Sequence, residues 1–214
     1  MELGYWAIRG LGYTSRLLLD LTGQEWTEQS WTDMESWSAA KAENRWNLAV
    51  PNLPYLVDGD VRLSQSGAIE QYLLQKYLPH LLPSDAADRA AGRMWEGIMR
   101  DVIMKVFGII HYVEMTPEKR VQQFEVYASK YENAYGLRIN EQLTKSKFLL
   151  GDTFTFYDVQ MLNALEVLAP LDERFTSQET TAYIERVRAV PEVAKHYAGK
   201  NFVGRVHYKW PVSE

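Results

Sequence analysis

Few side chains in this sequence are suited to chemistry, and most familiar catalytic sets are missing. There is no cysteine among the 214 residues, which excludes a protein thiol nucleophile, a disulfide and a thiolate metal site. The four histidines, His80, His111, His196 and His207, are scattered without the spacing that brings two imidazoles to one metal. No Gly-x-Ser-x-Gly elbow, Walker loop or Gly-x-Gly-x-x-Gly fingerprint occurs. Serine hydrolysis, phosphoryl transfer and dinucleotide chemistry are therefore disfavoured, and no metal is expected. Three short stretches remain. Gln65-Ser66 opens a helical pattern, where backbone N–H groups, the serine hydroxyl and the helix dipole suit a carboxylate. Leu53-Pro54 precedes a strand, and a cis turn there leaves the Leu53 backbone open to pair with a peptide-like ligand. Tyr5 sits on a first strand just before a glycine-containing turn, placed to donate a hydrogen bond to an anion. Singly, each has an ordinary structural explanation: a helix cap, an edge proline, a core tyrosine. Together they outline a site for a small anionic peptide.

The elements that must position these residues follow from periodicity. Leu3 to Ile8 alternates as a strand, Thr14 to Leu21 carries Leu17, Leu18 and Leu21 at helical spacing with Gly23 as its stop, and Glu25 to Trp31 alternates again. Residues 32–50 form a long excursion with partly buried helical turns around Trp37, Trp46 and Leu48. Leu53–Val57 and Val61–Leu63 flank Asp58-Gly59-Asp60, a hairpin signal. Ser66, as N-cap, then starts a helix that runs to Tyr77. A parallel βαβ pair followed by an antiparallel hairpin gives a small mixed sheet with helices on its faces.

Residues 80–84 read as a linker between a domain on 1–79 and a helical one on 85–214. The helical half comprises a long helix from Asp85 to about Tyr112, and a second to about Leu143 behind the Thr116 cap and Pro117. Thr155 and Asp158 then form a capping box, with Phe154 and Val159 at its staple positions, and a last helix from Thr180 to Ala189 stops before Pro191.

Composition narrows the function classes further. Hydrophobic residues make up 46% and charged residues 24%, a balance that argues for a globular chain rather than disorder. A net charge of −5 with no basic block gives nucleic acid or an anionic membrane little to bind. No stretch stays apolar long enough for a membrane span and the start lacks a signal-like apolar run, so the expected location is cytoplasmic. The aromatic fraction, 13%, can fill a core, line a site for flat apolar ligands or form an interface.

The same residues carry a family resemblance. Leu3-Gly4-Tyr5-Trp6, Ile8–Leu11 and Arg16–Leu19 resemble the start of the mu-class cytosolic glutathione transferases. Pro51–Leu56, Asp58-Gly59, Gln65-Ser66 and Ala68-Ile69 match that class in order, and Arg93–Asp101, Thr155–Asp158 and Arg186–Pro191 are similar to the family's helical half. The resemblance implies a thioredoxin-like domain with a mixed four-stranded sheet in the order βαβαββα, an all-helical second domain and a homodimer. It implies conjugation of the glutathione thiolate to small hydrophobic electrophiles, with glutathione as co-substrate and no permanently bound cofactor. Tyr5 would hydrogen-bond the glutathione sulfur, Asn52 and Leu53 would hold the cysteinyl backbone with Pro54 cis, and Gln65 and Ser66 would take the γ-glutamyl end. Asp101 would reach the partner subunit's γ-glutamyl amine. Trp6 and Leu11 would line the site near the thiol.

Several positions depart from the class. Val50 stands where mu enzymes carry a large aromatic before the Pro-Asn-Leu-Pro run, and Gln71 where they use an interface arginine. The glycine-contacting Trp-x-x-x-Lys pair aligns with Lys41 and Arg45 counted back from Pro51, while Trp37 is the alternative for its tryptophan. His111, followed by Tyr112, stands at the second-site tyrosine, so Leu11, His111 and Tyr112 are the expected electrophile-site residues. Two other readings share the fold: a weakly catalytic carrier of hydrophobic ligands, and a glutathione-dependent isomerase of the sigma type.

Overall fold

The structure, a computed structural model, describes residues 1–111 and 116–206. The described residues divide into two compact units, 1–79 with 191–206, and 80–111 with 116–190.

In the first unit, strands β1 (Glu2–Trp6) and β2 (Thr27–Trp31) are parallel, joined through α1 (Tyr13–Leu21). Helix α2 (Met34–Glu43) occupies the excursion that the sequence left loosely defined, with Asp33 accepting from Ser36 N–H as its N-cap and Asn44 closing it at φ 46°. Strands β3 (Tyr55–Asp58) and β4 (Val61–Ser64) form the hairpin, with Gly59 at φ +57° where a side chain would be strained. The sheet order is β2-β1-β3-β4, with β1–β3 and β3–β4 antiparallel. Helix α3 (Ser66–Lys76) packs against α1, and Leu3, Leu17, Leu56, Ile69 and Leu73 are all fully buried between these elements. The N-cap position of α3 belongs to Gln65 rather than Ser66, which is the first helical residue.

The second unit contains α4 (Ala86–His111), α5 (Pro117–Tyr131), α6 (Leu137–Leu143), α7 (Phe156–Leu168) and α8 (Gln178–Arg188). Thr116 caps α5 with Pro117 at its first position, and the helix expected to run on to Leu143 is interrupted by a wide π turn at Glu132–Gly136. Thr155 and Asp158 close the capping box of α7. At the staple positions, Val159 is buried and the Phe154 ring meets Phe148 edge-on at 5.6 Å. Tight packing of α4 on α7 requires Gly92, where a Cβ would lie 2.1 Å from the Tyr157 ring.

Two expectations need correction. A further helix, α9 (Pro191–Ala198), follows the one expected to be last; that helix does end before Pro191, and Pro191 then opens the next. This helix packs on α1, so the stretch 191–206, assigned from sequence to the helical domain, belongs with the sheet unit. Tyr112 lies outside the described residues.

Candidate functional site

Strand register brings the first unit's candidates to one end of the sheet. Gly4 pairs with Tyr55, and Tyr55 with Ser64, so the three lie in one row across β1, β3 and β4. Tyr5 and Trp6 therefore leave β1, Leu53-Pro54 enters β3, and Gln65-Ser66 leaves β4 at the same edge. The Leu53–Pro54 peptide is cis.

Tyr5 is 6% exposed, and its hydroxyl accepts a hydrogen bond from the Leu11 N–H at 2.8 Å. The chain can fold over the ring only because of two glycines. At Gly10, φ is +40° and a Cβ would stand 2.6 Å from the Tyr5 hydroxyl; at Gly12 it would stand 2.4 Å from the ring. A single turn of 3₁₀ helix over Gly10–Gly12 closes with Gly12 N–H on the Arg9 carbonyl at 3.1 Å.

Beneath this turn lies Arg16, fully buried. Its guanidinium donates to the carbonyls of Trp6 at 2.9 Å and Ile8 at 2.8 Å, and to both carboxylate oxygens of Glu28. The same group lies 5.5 Å from the Tyr5 ring centroid. Arg16 thus fixes the backbone on the far side of Tyr5 and places a positive charge near its ring. Sequence reasoning gave Arg16 no role. The only signal was a charged residue within an otherwise apolar helical stripe.

Trp6 and Leu11 are half-buried and pack against a cluster of Tyr5, Ile8, Trp31, Trp37, Trp46 and Tyr55. Trp31, Trp37 and Trp46 meet at centroid distances of 5.4 to 6.2 Å, and Trp46 lies 4.4 Å from Tyr55. Glu2 accepts from both the Trp46 indole and the Tyr55 hydroxyl. Burial first, and Glu2 second, push Tyr55 well above the usual phenol range, so it stays protonated.

Trp37 is thus a core residue, 4% exposed. Lys41 on α2 and Arg45 just beyond it are exposed, with the Arg45 guanidinium 4.8 Å over the Trp46 ring. Asn52 is half-buried, whereas Val50 is 66% exposed and its carbonyl accepts from the Ser64 hydroxyl at 2.8 Å.

Gln65 is exposed and holds φ 79°, ψ 119°, a conformation that costs a non-glycine residue about 1–3 kcal/mol. Its carbonyl accepts from Ala68 and Ile69 N–H, both at 3.1 Å. The side chain therefore sits beside the opening turn of α3, where the first N–H groups have no partner within the helix. Such a terminus attracts a carboxylate.

Asp101 is exposed on α4 and His111 ends that helix, both in the other unit. Among the described residues no group of three or more His, Cys, Asp or Glu could hold a metal ion, and no helix is long and apolar enough to cross a membrane.

Comparison with known proteins agrees with this architecture. Residues 1–75 match the family model for the glutathione S-transferase N-terminal domain, and residues 100–200 that for its C-terminal domain. A class-mu 26 kDa glutathione S-transferase isozyme of Schistosoma mansoni is 32% identical over 79% of this chain and 83% of its own length. Another from the same organism is 27% identical over 99% of this chain and 92% of its own. The crystal structure of the glutathione S-transferase Blo t 8 superposes with a TM-score of 0.79 at 24% identity, covering 94% of this chain and 93% of that one. The chain belongs to the glutathione S-transferase family, with class-mu members among its relatives.

Proposed function

We propose that this protein conjugates the thiolate of glutathione to small apolar electrophiles, as a detoxifying glutathione transferase. The observation that carries the reading is the Tyr5 hydroxyl, held by the Leu11 N–H at 2.8 Å at the sheet edge shared with Leu53 and Gln65-Ser66. A hydroxyl that accepts one hydrogen bond is polarised into a stronger donor. Donation to the glutathione sulfur favours the thiolate over the thiol, and the thiolate is the nucleophile. Lowering a thiol pKa from about 8.5 by about 2 units corresponds to about 2.7 kcal/mol.

The sheet edge also suits the ligand's length. From Tyr5 across β3 to the start of α3 is two strand spacings, about 10 Å, close to the span of an extended tripeptide at about 3.4 Å per residue. In this reading Tyr5 and Trp6 face the thiol, and Asn52 and Leu53 pair with the cysteinyl backbone. Gln65 and Ser66 hold the γ-glutamyl carboxylate, while Lys41 and Arg45 are the cations available to the glycyl carboxylate. Asp101 serves the γ-glutamyl amine in the partner subunit of a homodimer, and Leu11, His111 and Tyr112 line the electrophile site. Residues 1–79 supply the peptide site and the helices from 85 onward the apolar one. The reaction proposed needs no resident cofactor, and a cytoplasmic location completes the reading. The relatives do not favour the carrier or the isomerase.

The test is conjugation of glutathione to chloro-dinitrobenzene, followed by absorbance. Tyr5→Phe should lower kcat about 25-fold at pH 7, the fall in thiolate fraction as the thiol pKa returns from about 6.5 to about 8.5, while glutathione affinity changes far less. Equal loss of binding and turnover would remove Tyr5 from this role.

A further inference from the structure

The turn that carries the Leu11 N–H is clasped from a second direction, by the segment after α9. The Arg9 N–H donates to the Arg205 carbonyl at 2.7 Å, and the Gly10 N–H lies 3.5 Å from the Val206 carbonyl. Residues 199–206 have no regular structure of their own, so something else must hold them in place. Asp20, on α1, does so. Its Oδ1 accepts from the Trp26 indole at 2.8 Å and the Asn201 amide at 3.1 Å, and its Oδ2 lies 2.6 Å from His196 Nδ1. Burial works to raise the Asp20 pKa, but the bonds from His196, Asn201 and Trp26 outweigh it and leave the carboxyl below its usual range. Around this anchor, Phe202 packs on the rings of His196 and Tyr197 at 5.7 and 5.0 Å, and the Tyr13 and Tyr197 hydroxyls share a bond of 2.7 Å.

We infer that Asp20, with His196 and Asn201, is a positioning residue for catalysis: it anchors the 199–206 strap, which holds the Arg9–Leu11 turn and so keeps the Leu11 N–H on the Tyr5 hydroxyl. Arg16 grips this turn through carbonyls, and the strap grips it through the Arg9 amide. Without the strap the turn retains Arg16 but loses its outer bond. The Leu11 N–H then spends part of its time off the phenol, and Tyr5 becomes a weaker donor to sulfur. The inference rests on Tyr5 acting on the glutathione thiol as proposed above.

The experiment measures the apparent pKa of the bound glutathione thiol, from thiolate absorbance and from the pH profile of conjugation between about pH 6 and 9. The full-length protein is compared with Asp20→Ala, Asn201→Ala and Tyr5→Phe. Asp20→Ala should raise the bound-thiol pKa by about 1 unit, cutting the thiolate fraction and kcat about fivefold near pH 6.5. The deficit should close towards pH 9, and the KM for glutathione should stay within about twofold. Asn201→Ala removes one bond of the anchor and should shift the pKa in the same direction by less; it decides the matter if Asp20→Ala does not fold. A lowered thiol pKa in the unaltered protein that neither variant changes would overturn the strap's role while leaving Tyr5's standing. So would activity lost equally at every pH. A bound thiol no more acidic than free glutathione, with Tyr5→Phe silent, would overturn the proposed function and this inference together.

Discussion

Arg16 in the sheet unit and Asp158 in the helical unit are both fully buried charges, and they spend their hydrogen bonds on different tasks. Asp158 accepts from Leu149 N–H, from Thr155 N–H and hydroxyl, and from the Tyr183 hydroxyl. Every one of those bonds ties a loop or a neighbouring helix to the start of α7. Arg16 donates to the Trp6 and Ile8 carbonyls, on the stretch that leads into the turn over the Tyr5 ring, and its remaining capacity goes to Glu28. One cluster joins a loop and two helices; the other holds the backbone around Tyr5, the residue proposed to act on the glutathione thiol. A buried polar network therefore says little about function until its partners are traced to what they position.

That contrast can be broken by substitution. The largest effect is expected at Asp158, where alanine would leave two buried N–H groups and two hydroxyls without their acceptor. Asp158→Ala should lower unfolding free energy by about 3–5 kcal/mol, measured by urea denaturation, with the bound-thiol pKa unchanged in whatever protein folds. A shifted thiol pKa would show that this cluster also reaches the site. Arg16→Met keeps similar bulk but leaves the Trp6 and Ile8 carbonyls without the guanidinium donor and Glu28 with only the Ser30 hydroxyl. It should destabilise by about 3 kcal/mol and, unlike Asp158→Ala, also reduce kcat. Loss of stability alone would place Arg16 with Asp158 as a structural residue.

A smaller effect is expected at Gly12, since a Cβ there would lie 2.4 Å from the Tyr5 ring. Gly12→Ala forces the turn or the ring to move and should cost about 1–3 kcal/mol, with kcat falling more than glutathione affinity. The smallest concerns Asp58, away from both clusters. Burial works to raise its pKa, but bonds from Tyr72, Tyr77 and Lys76 prevail and bring it to about 2. Because the folded value is depressed, its contribution is full above the ordinary carboxylate range and is lost as pH falls through about 2. Asp58→Asn should flatten the acid-unfolding curve between about pH 4 and 2 without altering turnover at neutral pH. An unchanged curve would remove Asp58 from the acid response.

The sequence by itself determined the features whose partners are close along the chain. The Asp58-Gly59-Asp60 hairpin, the Thr116–Pro117 helix start and the Thr155–Asp158 capping box were legible because each is completed within a few residues. The resemblance through Tyr5, Leu53-Pro54 and Gln65-Ser66 named the family, and strand register explains why residues so far apart meet at one sheet edge. Tertiary structure alone decided the rest. It placed Trp37 in the core, set Gln65 rather than Ser66 at the cap, carried the chain through Pro191 into α9, and returned 199–206 to the Tyr5 turn. Beyond the charge of Arg16 within an apolar stripe, Arg16 and Asp20 gave no sequence signal of their roles, because an arginine or an aspartate on a helix looks alike whichever partner it meets. Partners far apart in sequence, such as Asn201 and Asp20 at 181 residues, become neighbours only when the chain has closed. Local chemistry is written in spacing, whereas positioning depends on which surfaces the fold brings together.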